Sequence, residues 1–307
     1  MSKSVLVVGS VALDDVETPF GKRDDSIGGS AVYFAIASSL YTQVRIVGIA
    51  GKDFPQFVLD KFTERKIDTL GLELVDGKTF RWGGKYHDDI NIRDTLYTDL
   101  NVFADFKPII PEKYKQTPYV FLGNILPSLQ MDILNQLDKP EFVALDTMNL
   151  WIETAREDLA EVIRHIDLLV INDSELTLLT GELNLLKGLK KIHQRGLKYA
   201  IIKKGEHGAY LSRMNDESKN PELFFVPAYP VWEPIDPTGA GDSFAGGFMG
   251  YLSQTGEITF ENMKKALVHA AIMGSLCVEG FSYDALDTMN QDILNDRLKA
   301  LSKLVNV

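Results

Sequence analysis

Short, unbroken apolar runs limit what this chain can become more than any other feature. Val5–Gly9, Tyr119–Leu122, Phe142–Leu145 and Leu168–Ile171 are each too short for a helix and lack the alternation of a strand with one wet face, and Tyr199–Lys203 is a further extended segment that ends in a lysine. The first four read as strands buried on both faces, the habit of parallel sheets. Helical periods lie between them. A helix is expected from Pro127 to about Leu137. Another runs from Trp151 to Ile166, with Ile152, Ala155, Leu159, Val162, Ile163 and Ile166 on one face, and a third covers Leu183–Gln194. Extended segments at Gln43–Ala50 and Asp68–Val75 flank a helix expected from Asp53 to Lys66, with Asp53 as its cap. Such alternation implies an α/β fold, a mainly parallel sheet with helices on both faces. No repeat, low-complexity tract or linker divides the 307 residues, so one domain over 1–307 is expected.

Composition excludes several functions. Net charge is −11 and no long basic run occurs, which disfavours nucleic acid and anionic membranes as partners. The single cysteine, Cys277, lies in an apolar stretch and reads as a buried thiol. Val5–Leu13 is apolar but interrupted by Gly9 and Ser10 and followed by Asp14 and Asp15, so it reads as a first strand and not a signal peptide. No run is long enough to span a membrane, and the cytoplasm is the expected compartment. The first strand does not end in a dinucleotide fingerprint. Gly77-Lys78-Thr79 is no phosphate loop, because five residues separate it from Gly71 where that motif needs four. The five histidines are scattered without metal-ligand spacing.

The chemistry concentrates in Asp236-Pro237-Thr238-Gly239-Ala240-Gly241-Asp242, which opens a small-residue helix through Gly246 and Gly247. The free amides of Gly239, Ala240 and Gly241 at a helix start favour an anion, and the missing side chains let a phosphate approach. Asp242 would repel that phosphate unless its task is to take a proton from the attacking group, the position of a general base in phosphoryl transfer.

Other candidates lie at strand ends. Asp14 follows the first strand and can accept two hydrogen bonds from neighbouring hydroxyls. Gly28 and Gly29, with Ser30 as a cap, open a helix to about Leu40 and let a ligand touch the backbone. Asn124 follows the strand at Tyr119–Leu122. Asn172 and Glu175 are placed to orient a hydrated Mg²⁺, and equally to cap a helix. Lys204-Gly205-Glu206-His207-Gly208 suits either a nucleotide's phosphates and ribose or a plain hairpin turn. Phe80–Lys107 is irregular and rich in Thr and aromatics, and reads as short antiparallel strands.

Together these motifs resemble the PfkB (ribokinase-like) carbohydrate kinases. The Gly-Gly pair, the N-x-x-E of Asn172 and Glu175, the Gly-x-x-Gly loop and the Asp-Pro-Thr-Gly-Ala-Gly-Asp run occur in that family's order. The resemblance implies a three-layer sandwich with a small β-sheet lid, inserted at about 78–107 together with about 12–20, and a homodimer paired through that lid. It implies ATP and Mg²⁺, with room for a monovalent cation near Asp236. Asp14, Gly28, Gly29 and Asn124 would then hold the acceptor, and Arg93 and Asn91 would reach it from the lid. Asn172, Lys204, Gly205, Gly208 and Ser275 would lie on the nucleotide side, and Glu175 on the metal through water. Family members often carry Asn where this chain has Ala12 and Tyr33, which leaves the acceptor open. The leading expectation is phosphorylation of a small sugar. A nucleoside kinase and a non-catalytic binding regulator are the alternatives.

Overall fold

The fold is that of a computed structural model, in which residues 3–215 and 217–305 are described. The chain begins with β1 (Val5–Val8), then forms an antiparallel pair, β2 (Ala12–Thr18) and β3 (Gly21–Gly28), before α1 (Ser30–Ser38). β4 (Val44–Gly51), α2 (Gln56–Glu64) and β5 (Asp68–Val75) follow, then a second excursion, β6 (Phe80–Tyr86) and β7 (Arg93–Asp99). The chain then alternates through β8 (Tyr119–Leu122), α3 (Pro127–Gln136), β9 (Phe142–Asp146), α4 (Asn149–Thr154), α5 (Arg156–Ile163), β10 (Leu168–Asn172), α6 (Asp173–Thr180), α7 (Leu185–Gln194) and β11 (Tyr199–Lys203). It closes with β12 (Ala209–Met214), β13 (Pro221–Val226), α8 (Ala240–Thr255), α9 (Phe260–Cys277), α10 (Asp284–Asp287) and α11 (Gln291–Val305).

Among the described residues the main sheet runs β13-β12-β11-β10-β9-β8-β1-β4-β5, parallel from β11 to β5 and antiparallel over β12 and β13. The unbroken apolar runs are explained by burial on both faces. Val5 and Val7 of β1 enter the core beneath α1, α8 and α9, while Leu6 and Val8 enter the core beneath α3, α5 and α7. The order of strands reverses at β1, where β4 lies on one side and β8 on the other, so the crevice for ligands opens at the carboxyl ends of these strands. Among the described residues no helix is long and apolar enough to cross a membrane.

A second sheet, β3-β2-β6-β7, stands over that edge. It contains the two expected segments and also β3, which extends the second of them beyond residue 20. β2 and β6 pair in parallel, so Asp14 lies beside Trp82 on one face.

Three local expectations fail. Asp53 does not cap a helix: α2 starts at Gln56 after Pro55, and Asp53 instead accepts from the Thr79 backbone N–H at 2.8 Å and the Thr79 hydroxyl at 2.6 Å. A tertiary partner has taken the capping oxygen. The single helix over Trp151–Ile166 is two, broken at Ala155 with φ −132°. Each half is pinned elsewhere: Trp151 Nε1 donates to Asn124, and Arg156 donates to the Leu178 and Leu179 carbonyls. Ser30 is not a cap either. Gly29 holds that place, and Ser10 and Ser30 exchange backbone-to-hydroxyl bonds of 3.1 and 3.0 Å that tie β1's end to the helix start.

Candidate active site

Gly239 turns the chain into α8. Its φ is +76°, and a Cβ there would lie 2.3 Å from the Tyr33 ring, so only glycine fits. The turn leaves the Gly241 and Asp242 amides without helical partners, but the expected open amide of Ala240 is taken: its N–H donates to the Pro237 carbonyl at 3.1 Å. Asp236, almost fully buried, holds the loop: its carboxylate accepts from the Thr238 N–H at 2.9 Å and the Ser282 N–H at 3.4 Å. Asp242 sits in the first turn of α8, partly accessible at the loop's mouth. Burial, then the Asp146 carboxylate, push the Asp242 carboxyl up to about 7, against Lys203 and Arg93.

Adjacent strand ends supply the surrounding charges. β9 ends at Asp146, β10 at Asn172 and β11 at Lys203, and Asn172 lies opposite Lys203 in register. Lys203 Nζ lies 3.5 Å from Asp146 Oδ1 and 3.1 Å from where a Gly241 Cβ would stand, at the lip of the amide loop. Burial works against this ammonium, but Asp146, Glu175 and Asp242 outweigh it and hold its pKa above the ordinary value. Asn172 and Glu175 form a capping box: Asn172 accepts from the Glu175 N–H at 2.8 Å, and Glu175 Oε2 accepts from the Asn172 N–H at 2.7 Å. Burial is the main reason that Glu175 is pushed up to about 7; Lys203 opposes the rise and Asp146 adds to it.

Asp14 reaches the same space from β2. A Cβ on Gly28 would lie 1.9 Å from Asp14 Oδ2, so glycine is what lets the carboxylate lie flat against β3. Burial, then Asp236, Asp15 and Asp242, push Asp14 up to about 8, with Arg93 opposing. Arg93 lies over the Trp82 ring at 5.3 Å, and its charge bears on Asp14, Asp242 and Glu175. The Tyr86 hydroxyl, on the same face as Trp82, bonds Thr238 Oγ1 at 3.1 Å.

The expected residues therefore divide. Asp14, Gly28, Gly239, Gly241, Asp242, Glu175 and Arg93 converge, and Asn172 anchors Glu175 beside them. Gly29 borders them as the N-cap of α1, and Ala240 is the first residue of α8. Lys204 turns away and donates to Asp173 at 2.6 Å. Asn124 is engaged by Trp151 at 2.9 Å and Met148 at 3.1 Å. Ser275 donates to the Ile272 carbonyl at 2.7 Å, and Arg297 reaches it at 3.3 Å. Gly205 opens a single 3-10 turn and Gly208 follows it, and Asn91, between β6 and β7, comes within 2.9 Å of a Gly205 Cβ position. Asp146 and Lys203 went unrecognised in the sequence, although each closes an apolar run at the edge where α/β sheets bind ligands.

Among the described residues no three His, Cys, Asp or Glu side chains form a metal cage. Asp146 and the free oxygen of Glu175 make a pair of buried carboxylates. Such a pair fits Mg²⁺, which keeps waters and substrate phosphates as its other ligands.

Known proteins resemble this chain in sequence and in fold. The family described as "pfkB family carbohydrate kinase" matches residues 5–285. A cytidine kinase of Thermococcus kodakarensis is 29% identical over 255 residues, covering 81% of this chain and 88% of its own. The solved nucleoside kinase of Methanocaldococcus jannaschii superposes with a TM-score of 0.77 at 19% identity, covering 97% of this chain and 98% of that one. A putative Ribokinase II from E. coli superposes with a TM-score of 0.78 at 18% identity, covering 99% and 100%. At these identities the two superpositions establish the fold.

Proposed function

The chain belongs to the pfkB family of carbohydrate kinases, ATP-dependent phosphotransferases, and we propose that its acceptor is a ribose hydroxyl of a nucleoside. The coarser statement, a sugar or nucleoside kinase, follows from membership. The finer one is carried by one observation: Trp82 lies beside Asp14 on the same face of the small sheet, with Arg93 over its ring at 5.3 Å. A carboxylate for ribose hydroxyls next to an aromatic and guanidinium surface for a base is what a nucleoside asks for. The cytidine kinase that spans most of this chain supports the same choice. A free sugar is the competing acceptor, and it leaves Trp82 with nothing to stack on.

In this reading Asp14 and the backbone at Gly28 and Gly29 hold the ribose. The hydroxyl to be phosphorylated faces Asp242, which takes its proton as the oxygen attacks the terminal phosphorus of ATP. The bond to the bridging oxygen breaks and ADP leaves. The amides of Gly239 and Gly241 stabilise the charge on the transferring group. Asn172 and the turn from Lys204 through Gly205 to Gly208 border the nucleotide, with Ser275 of α9 towards the adenine. Mg²⁺, when bound with ATP, neutralises phosphate charge, and Asp146 and Glu175 are the residues that would hold its water shell. The small sheet acts as a lid that keeps water from competing as acceptor.

The test is ADP release from ATP and Mg²⁺ against a panel of nucleosides, pentoses and hexoses. Turnover with a nucleoside well above that with free ribose or fructose is expected. Faster turnover with a free sugar would replace the nucleoside reading.

A further inference from the structure

We propose that the Lys203 ammonium is the charged grip on the terminal phosphoryl group of ATP, parked on Asp146 before the nucleotide binds and passed to a phosphoryl oxygen when it does. The proposal rests on the kinase reading but not on the identity of the acceptor.

Position is the first argument. Lys203 is the last residue of β11, and its Nζ lies 3.1 Å from a Gly241 Cβ position, so it enters the mouth of the amide loop and not the solvent. Backbone amides at a helix start amount to only about half a unit charge. A phosphoryl group in transit spreads negative charge over its oxygens, and a full cation is the efficient complement.

The second argument is the looseness of the resting pair. A charge-assisted N–H···O bond closes to about 2.7–2.9 Å. Lys204, the next residue, reaches Asp173 at 2.6 Å, whereas Lys203 stops 3.5 Å from Asp146. The more enclosed lysine, its side chain 19% exposed against 32% for Lys204, is thus held less firmly than its neighbour. Enclosing an ammonium is costly without a counter-charge, and Asp146 is the counter-charge that Lys203 approaches at rest. Moving Nζ to a phosphoryl oxygen exchanges one anion for another and frees Asp146.

The experiment compares ATP and ADP binding by calorimetry, with Mg²⁺ and no acceptor, in the wild-type chain, Lys203→Met and Asp146→Asn. A grip on the terminal group predicts that Lys203→Met loses about tenfold or more in ATP affinity, the worth of a hydrogen bond to a charged group, while ADP affinity stays unchanged. With acceptor present, turnover of Lys203→Met should fall about a hundred- to a thousandfold, as when one preorganised donor is removed. Asp146→Asn should keep the preference for ATP over ADP. Equal loss of ATP and ADP affinity in Lys203→Met, or no loss of either, overturns the proposal. If Lys203→Met does not fold, the Lys203→Met/Asp146→Asn pair removes one of the carboxylates it leaves uncompensated, and the same ATP-to-ADP comparison decides. A wild-type chain that prefers ATP, loses the preference with Lys203, yet phosphorylates no acceptor would sink the acceptor reading and leave the grip in place.

Discussion

The Tyr86 hydroxyl lies 3.1 Å from Thr238 Oγ1, and this bond joins the small sheet to the loop that carries the anion-binding amides. Tyr86 is 5% exposed and Thr238 is 8% exposed, so the link is made out of reach of bulk water. It connects the sheet that bears Asp14, Trp82 and Arg93 to the helix start that bears Asp242.

Tyr86→Phe tests what that connection does. One hydrogen bond is worth about 1 kcal/mol net, so the fold should survive its loss. The expected defect is in closure: a looser small sheet admits water, which then competes for the phosphoryl group. ADP release without acceptor should rise severalfold relative to release with acceptor, and the acceptor KM should increase. An unchanged ratio would mean that the bond only supports local packing.

Asp242→Asn should lower turnover by at least about a hundredfold, given what a general base contributes. The pH dependence follows from the raised carboxyl. A base acts only when ionised, and burial with Asp146 nearby places this group at about 7. Turnover at saturating acceptor, with Asp14 already engaged by the ligand, should therefore drop about tenfold per unit below that pH and level off above it. The residual activity of Asp242→Asn should lack this limb. A wild-type profile that stays flat from about pH 5 to 8 counts against Asp242 as the base.

Much of this was legible beforehand, for identifiable reasons. Strands buried on both faces leave unbroken apolar runs, so β1, β8, β9, β10 and β11 could be placed from sequence. Gly239 and Gly241 beside Asp242 are informative because few structural needs call for that combination. Asp146 and Lys203 were hidden because one charged residue after an apolar run looks like the start of any loop. Only the register of β9, β10 and β11 brings them together across 57 positions. The pairing of Asp14 with Trp82 is likewise a product of a parallel ladder between distant segments. Asp53 misled because a local capping signal carries no information about Thr79, the partner that displaced it.

Trp82→Ala separates a nucleoside from a free sugar. Stacking of a base on an aromatic ring is worth about 1–3 kcal/mol, so the nucleoside KM should rise by about tenfold or more. Turnover at saturation should change less, because the ring is remote from the reacting oxygen. Trp82→Phe should recover part of the loss. An acceptor KM indifferent to both substitutions points to a ligand that does not reach the small sheet's aromatic face.

Asp14 should make the unliganded protein less stable as pH rises. It is 4% exposed, and the influences on it are burial, the neighbouring carboxylates Asp236, Asp15 and Asp242, and one opposing charge from Arg93. In the folded state it holds its proton to about 8, against 3.8 for an unperturbed Asp. Between those values the native state binds a proton that the unfolded chain has released. Stability is then fully present below the lower value and is lost as pH climbs towards the upper one. Asp14→Asn removes the titration and leaves the volume nearly unchanged. The variant should melt higher than wild type at pH 8, and the gap should narrow steadily towards about pH 4. Glu175 and Asp242 tilt both proteins in the same direction, so the difference between the two melting curves is the informative quantity. A stabilised variant with a poor acceptor KM is the expected combination, since a carboxylate kept for ribose hydroxyls is a burden until they arrive. Melting temperatures that run parallel from pH 5 to 8 would show that Asp14 is already satisfied without ligand, and would remove the reason to place the acceptor there.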